Sequence, residues 1–395
     1  MLILPTSGNY LTSEIETVLY RAQLLLEEGQ LEAALAILET ARPSEERHQQ
    51  ERDYLLGWCY TQQQRWHEAT HILLSLCKQE NTSGSDTEIK QSGKHSRREQ
   101  LARSFLRLGD AAVNLSRYSD ASRHYLECLR HLQHLKMSSA ALHYKAHYGQ
   151  GVACLMLGLY EAAMHHYQEA RALYTAHEDE EELAHIYYGL CYTYRYSKQL
   201  IDARIAGEKA LEIYERKANH ALAGRMRNLL GRISFLLGEF TEAADFYSQA
   251  LSIALIEPNF NMIAANYIAL ADLHLAEGRV AEARDCCQRA IDEAVRITDE
   301  HIRGLTYFGV GKVLAAEARM PASACEMRST LLERACTWFE RAGRSLSQTQ
   351  ANADLAELYG RWADVLEDLG QAREAAHCWR QAYLAIANTR GAGWS

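Results

Sequence analysis

The chain has 395 residues, a formal net charge of −9 at pH 7 and 48% hydrophobic residues, a balance that supports a large core and argues against nucleic acid as the default partner. Nowhere do about 18 apolar residues run uninterrupted, and the start, MLILPTSGNY, lacks the basic stretch and apolar length of a secretory leader, so neither a membrane span nor an export signal is expected. Ten cysteines occur without a C-x-x-C pair and mostly inside apolar runs, which reads as small buried hydrophobes in a reducing, cytoplasmic compartment.

With only four prolines, good helix formers run on almost without a break. After an N-terminal extension, 1–11, residues 12–78 hold two helical hairpins, centred on Ala34 and Ala69. The stretch 79–98 opens QENTSGSDTEIKQSGKHS, with one aliphatic residue and no aromatic, and is expected to be a flexible polar loop. Residues 99–388 hold seven more hairpins, centred on Ala121, Ala163, Ala203, Ala243, Ala283, Ala335 and Ala375. Within them an insertion near 317–330 lengthens a helix or adds a turn around Pro321, and a tail follows at 389–395.

The segment Leu230–Leu251, LGRISFLLGEFTEAADFYSQAL, shows the unit most clearly. Gly231 lies twelve positions before Ala243, Ala250 lies seven after it, and between them come the turn glycine Gly238 and the aromatic Phe240. The central alanines recur at spacings of 35, 52, 42, 40, 40, 40, 52 and 40. Small residues on both helices of a hairpin let the axes approach, while a large residue wedges into the gap. Turn glycines (Gly29, Gly158, Gly238, Gly278 and Gly370) end the first helix of five hairpins. One hairpin cannot bury its apolar face alone, so neighbours must stack.

This nine-fold pattern resembles the tetratricopeptide repeat family over roughly residues 12 to 388. It departs from the family where the early tryptophan of the first helix is replaced, as by His147 and Tyr267, and in its period of about 40 rather than 34 residues. Six extra residues are about 1.7 helical turns, so the hairpins should be tall. The resemblance implies an all-α, right-handed α-solenoid of about nine stacked antiparallel hairpins, with ligands held in a concave groove lined by the first helices.

The letters H-E-x-x-H in RWHEATH, Arg65–His71, match the zinc-and-base spacing of many metalloproteases. The repeat accounts for them otherwise. The residue before the central alanine is acidic in six of nine hairpins, as Glu68, Asp120, Asp202, Glu242, Glu282 and Glu374, near the start of a second helix. His67 and His71 then fall on the outer face, without a third ligand at a recognisable distance. The pairs His143/His147 and His131/His134 read as packing or solvated faces, and Cys287 of the pair Cys286-Cys287 falls in the buried slot between the alanines. The acidic run Glu178–Glu182 suits a helix N-terminus. No catalytic set, metal or cofactor emerges.

In such a groove the inward positions lie 18, 15, 11, 8 and 7 residues before each central alanine. Before Ala163 they include Lys145 and Tyr148; before Ala203 they are His185, Tyr188, Tyr192, Arg195 and Tyr196; before Ala243 they include Arg225, Asn228 and Arg232. From Arg195 to Arg232 there are nine Lys/Arg against four Asp/Glu, while the last hairpin offers Glu357, Asp364, Glu367 and Asp368. Arginine forks bind carboxylates, and tyrosines supply rigid contact area. These features point to a non-enzymatic scaffold or adaptor holding a peptide or protein segment with acidic character. A regulatory sensor that changes curvature around a signalling peptide or small effector is the second reading. RNA binding by the basic–aromatic stretch is a third, which would carry a steep salt dependence. Oligomeric state is left open.

Overall fold

The computed structural model describes residues 8–82, 91–133, 135, 140–174, 180–321, 325–349 and 352–391. Among them the regular structure is helical, and no helix is long and apolar enough to cross a membrane. The helices are α1 (Gly8–Glu27), α2 (Leu31–Thr40), α3 (Glu46–Gln62), α4 (Trp66–Thr82), α5 (Gln91–Asn114), α6 (Tyr118–Leu132), α7 (Ala140–Met156), α8 (Tyr160–Leu173) and α9 (Glu180–Tyr196). They continue as α10 (Leu200–Arg216), α11 (His220–Leu236), α12 (Phe240–Ile256), α13 (Phe260–Ala276), α14 (Val280–Asp292), α15 (Glu300–Ala318), α16 (Cys325–Ser347), α17 (Asn352–Asp368) and α18 (Ala372–Gly391). Parts of the extension 1–11, the loop 79–98, the insertion 317–330 and the tail 389–395 lie outside the described residues, as do His134, Glu178 and Asp179. What is described of the loop stretch is helix on either side, to Thr82 and from Gln91; the residues added near Pro321 lengthen α15 and α16.

The chain divides into two compact units, one of Met1–Cys154 with Gln168–Tyr174, the other of Leu155–Tyr167 with Thr175–Ser395. In the first, α1/α2, α3/α4 and α5/α6 pack as hairpins, α2 packs on α3 and α4 on α5. The second unit repeats this with α9/α10, α11/α12, α13/α14, α15/α16 and α17/α18. There the first helices also touch in series, α9 with α11, α11 with α13, α13 with α15 and α15 with α17.

The hairpin turn is set by backbone chemistry. At the residue five before the central alanine the chain takes a left-handed conformation in eight of nine hairpins. Five use glycine, as at Gly238 (φ +81°), but Gln64, Ser116 and Lys198 adopt it as well, with φ of 58°, 57° and 61°. At Lys198 the turn closes with Gln199 N–H donating to Tyr194 O (2.9 Å) and Lys198 N–H to Arg195 O (3.1 Å), which satisfies carbonyls the helix end leaves open. Several first helices are held at their starts too. Asn219 accepts from Leu222 N–H (3.1 Å), Asn259 from Met262 N–H (3.1 Å) and Asp299 from His301 N–H (2.8 Å).

Every central alanine is buried, and so is the residue four positions past it in the first eight hairpins: Leu38, Leu73, Tyr125, Tyr167, Gly207, Tyr247, Cys287 and Phe339. Glycines make room for these wedges. A methyl group added at Gly109 on α5 or Gly149 on α7 would collide with the Tyr125 ring, and one at Gly189 on α9 with the Tyr167 ring. The wedge thus sits between its own first helix and the next one, and burying a ring this size contributes about 1.5–3 kcal/mol.

Two substitutions should therefore move stability in opposite directions. Gly149→Ala improves helix propensity by up to about 1 kcal/mol, but the Tyr125 ring is also pressed against Gly109 and cannot retreat. Overpacking of ~1–3 kcal/mol should win, lowering the melting temperature. Lys198→Gly removes a left-handed side-chain penalty of about 1 kcal/mol and should raise it. Calorimetric melts of the two variants beside the parent check both signs.

Candidate functional site

The inner face of the second unit is where the sequence's groove candidates come together. Tyr192, Arg195 and Tyr196 on α9, with Asn228 and Arg232 on α11, line a cavity of about 180 Å³. Its other walls come from α13 (Asp272), α15 (His301, Phe308, Lys312) and α17 (Asp354, Glu357). A second cavity of about 370 Å³ adjoins it and shares Arg232, Asp272, Lys312 and Glu357. Its own walls are more apolar, with Phe235, Leu236, Leu275 and Val365, and also carry Arg319 and Arg361.

The tyrosines form a continuous wall. Tyr160 and Tyr196 stack nearly parallel with ring centroids 5.2 Å apart, Tyr192 lies 6.4 Å from Tyr196, and Tyr188 lies 5.0 Å from Tyr192. The Arg195 guanidinium sits 4.1 Å over the Tyr196 ring and 5.5 Å from that of Tyr192, a cation–π arrangement. Burial pushes the Tyr196 phenol up to about 12 against the pull of Arg195. Burial, helped by Tyr192, drives Tyr188 well above its ordinary value. These hydroxyls stay protonated at any physiological pH and serve as donors rather than bases.

The charges at the centre of the face are tied to one another. Asp272 forms a salt bridge with Lys312 and lies 3.7 Å from Arg232. Burial alone would lower the Arg232 pKa, but Asp272 first, then Tyr247, Glu357 and Asp354, hold it above its usual range. His301 Nε2 meets Asp354 Oδ2 at 2.7 Å, joining α15 to α17. The Asn228 amide donates to Asn266 Oδ1 (2.8 Å), whose own amide donates to Met262 O (2.9 Å). Three lining charges have no such partner. Among the described residues, no carboxylate lies in ion-pair range of Arg195 or Arg361 and no cation in range of Glu357.

The remaining sequence candidates sit elsewhere. His185 is half-buried and its Nδ1 engages the Tyr214 hydroxyl on α10 at 2.9 Å, away from the cavity lining. Arg225 is exposed on α11 and outside the lining, though close enough to lower the Tyr188 pKa. Lys145 and Tyr148 belong to the first unit, where both lie near Asp110, a carboxylate that accepts from the Tyr125 hydroxyl at 2.7 Å. Burial and Asp110 push Tyr148 up to about 12. His67 and His71 are exposed on α4, and Glu68 is engaged by Arg65 at 3.1 Å. Among the described residues no group of three His, Cys, Asp or Glu is placed to hold a metal.

Asp272, His301, Lys312 and Asp354 were not among the sequence candidates, yet a signal for two of them existed. Asp272 lies eleven residues before Ala283, the same register position as Tyr192 and Arg232. Lys312 takes that position on α15 once the twelve-residue insertion before Ala335 is discounted. One register position thus reads Tyr, Arg, Asp, Lys on four successive first helices, and the alternating charges of the last three become neighbours.

Tetratricopeptide repeat family models match residues 106–180 and 182–255. No curated protein sequence matches the chain significantly. Among solved structures, the fold is similar to that of the apo form of the quorum sensor NprR from B. thuringiensis, with a TM-score of 0.65 at 14% identity over 95% of this chain and 99% of that one. It is similar to a Rap protein complexed with competence and sporulation factor, with a TM-score of 0.63 at 13% identity over 96% and 99% of the two chains. It is similar also to aspartyl phosphate phosphatase F from Bacillus subtilis, with a TM-score of 0.59 at 13% identity over 98% and 96%. At such identities the likeness is one of fold.

Two predictions follow from the charges. Asp272→Ala leaves Arg232 and Lys312 facing each other and should destabilise by about 2–3 kcal/mol, more than Arg232→Ala, because Asp272 and Lys312 are mostly shielded from water. Thermal melts of both variants test the order. The second concerns pH. Burial lowers the His301 pKa, but the hydrogen bond and charge of Asp354 more than reverse this, so the net folded value lies above the ordinary 6.5. The stabilisation is therefore complete below pH 6.5 and lost as pH rises through the raised folded value. The melting-temperature gap between the parent and Asp354→Asn should be wide in mild acid and shrink in mild base.

Proposed function

The chain is a tetratricopeptide repeat protein, and on that premise we propose that it is a non-enzymatic scaffold whose second unit holds a peptide segment on its inner face. One observation carries this reading: Arg195, fixed over the Tyr192 and Tyr196 rings, has no ion-pair partner among the described residues, yet lines a cavity. A guanidinium stacked on aromatics is oriented before any ligand arrives, so a carboxylate gains a bidentate contact at little ordering cost. The adjoining cavity, with Phe235, Leu236 and Leu275, offers an apolar side chain its own place. The ligand is thus an acidic peptide with an apolar residue beyond its carboxylate.

Support for a binding rather than catalytic role comes from the lining groups themselves. Asp272 and Asp354 are engaged by Lys312 and His301 and the flanking phenols stay protonated, which leaves Glu357 alone among the lining carboxylates as a candidate base. Of the proteins that share the fold, one is a quorum sensor and another is complexed with competence and sporulation factor. The nine cysteines in the described structure are free and mostly buried, which supports a cytoplasmic location.

The regulatory reading rests on a separate observation. The links between successive first helices at the cavity are polar: Arg232 and Lys312 with Asp272, and His301 with Asp354. A charged ligand competing for these links would alter the spacing of hairpins, which would make binding a signal.

Peptides selected from a random library on the immobilised protein should be enriched in Asp and Glu. The triple variant Arg195→Ala, Arg225→Ala, Arg232→Ala should weaken a selected peptide at least about tenfold, ~1.4 kcal/mol, by fluorescence polarisation. Unchanged affinity would overturn the groove assignment. Small-angle scattering with saturating peptide separates the two readings, since a sensor changes its dimensions and a plain scaffold does not.

A further inference from the structure

The hairpin α17/α18 departs from a rule of burial that the others keep. Four residues past the central alanine, the other eight hairpins place a buried residue, and in several of them a first helix of the following hairpin visibly covers it. Gly149 on α7 abuts Tyr125, Gly189 on α9 abuts Tyr167, and Leu230 on α11 lies against Gly207. Eleven residues past the alanine, Leu132, Tyr214, Ala254, Ala294 and Leu346 are buried in the same way. On α18 these two positions hold Trp379 and Ile386, each 45% exposed, and between them Tyr383 is 71% exposed. A repeat face meant for solvent carries polar residues. This one carries large apolar residues where an internal hairpin would be covered, and no described residue covers them.

The exposed row has a geometry of its own. Ala372, Ala376, Trp379, Tyr383 and Ile386 are all exposed and follow one another at spacings of four, three, four and three, which draws a straight seam along one helix face. The row is nearly symmetric about Trp379, with small residues at one end and large ones at the other. Turning a second α18 end for end sets Ala372 against Ile386, Ala376 against Tyr383 and Trp379 against its own counterpart. Small then meets large at each step, as close helix packing requires. A parallel pairing would instead set Tyr383 on Tyr383 and leave gaps between alanines. Trp379 is already immobilised for the purpose, its indole N–H donating to Glu367 at 3.1 Å and its ring lying over Gly360. Arg373 and Arg380 border the seam along one side as a polar rim.

We propose that this face of α18 is a two-fold dimerisation surface, occupied by the antiparallel α18 of a second copy of the chain. The inference is independent of the peptide-binding reading. An isologous contact suits a self-complementary row because each residue pair occurs twice. A helix of this length presents a face about 30 Å long and about 10 Å wide, roughly 300 Å², less than a standard interface of roughly 800 Å² per partner. The dimer should therefore form at micromolar rather than nanomolar concentration, with Trp379 and Tyr383 as its anchors.

Sedimentation velocity over a range of concentrations tests the proposal. The sedimenting mass should rise from one chain to two. The double variant Trp379→Asp, Tyr383→Asp should remain a single chain throughout, and so should Tyr383→Asp alone, which changes a ring 71% exposed and should keep the parent's circular dichroism spectrum. A parent that stays monomeric at the highest concentration, or a dimer that survives in the double variant, overturns it and leaves the face to a different occupant. Cysteine cross-linking reads the orientation. A mixture of Ala376→Cys and Tyr383→Cys chains should cross-link on mild oxidation, and Ala376→Cys alone should not. Cross-linking of Ala376→Cys to itself would overturn the antiparallel arrangement.

Discussion

Each internal hairpin keeps one residue, four positions past its central alanine, in the gap between two first helices. That packing requirement governs the rest. Where the wedge is a tyrosine or phenylalanine, the first helices must offer glycine, as Gly109 and Gly149 do for Tyr125 and Gly311 does for Phe339. Where the wedge is itself glycine, at Gly207, the neighbour Leu230 fills the space instead. Volume is conserved across the gap while the residues trade places. Because the wedge fixes how each first helix is rotated, it also decides which residues of that helix face inward. The site is a by-product of the core's register.

That link explains the electrostatics of the inner face. Residues eleven before each central alanine are carried side by side on successive first helices, so Arg232, Asp272 and Lys312 meet although forty residues of chain separate each pair. The same geometry explains why Arg195 is left without a carboxylate. It occupies the position eight before its alanine, and the equivalents on α11, α13 and α15 are Phe235, Leu275 and Ala315. No neighbour in that row carries a charge. Two arginines three register positions apart, on successive first helices of the same face, thus have opposite fates, one neutralised by its row and one stacked on tyrosines. Removing one member of a shielded ion pair strands the other, so Arg232 is bound into the scaffold by Asp272, whereas Arg195 has no such tie among the described residues.

The repeat, its nine centres and its helical character were legible in the sequence because packing acts through short, regular spacings that one chain segment displays by itself. The turn chemistry was legible only where glycine occurred. Gln64, Ser116 and Lys198 adopt the same left-handed conformation, but nothing in their side chains announces it, since tertiary packing imposes the turn there. The site was legible in part. Tyr192, Arg195, Tyr196, Asn228 and Arg232 line one cavity. Asp272 was within reach of the same register, whereas Lys312 was displaced by the insertion before Ala335. Asp354 and His301 lie 21 and more residues before their centres, beyond the inward positions counted, and find each other only across α15 and α17. His185 shares the inward register but stands outside the cavity lining, its Nδ1 engaging the Tyr214 hydroxyl.

Register also clarifies why RWHEATH lacks the setting a zinc site needs. Its glutamate and histidines stand on a second helix, α4, and on such helices the inward side is taken by the alanine and the wedge, here Ala69 and Leu73. Ligands at four-residue spacing need a pocket that removes water and supplies a further donor. An exposed stripe opposite the buried one offers neither, and Glu68 is engaged by Arg65. The first helices differ in this respect. The polar residues that line the two cavities all stand on first helices, α9, α11, α13, α15 and α17, or, for Arg319, at the end of α15, and the inner faces of these helices are enclosed by neighbours yet open to solvent.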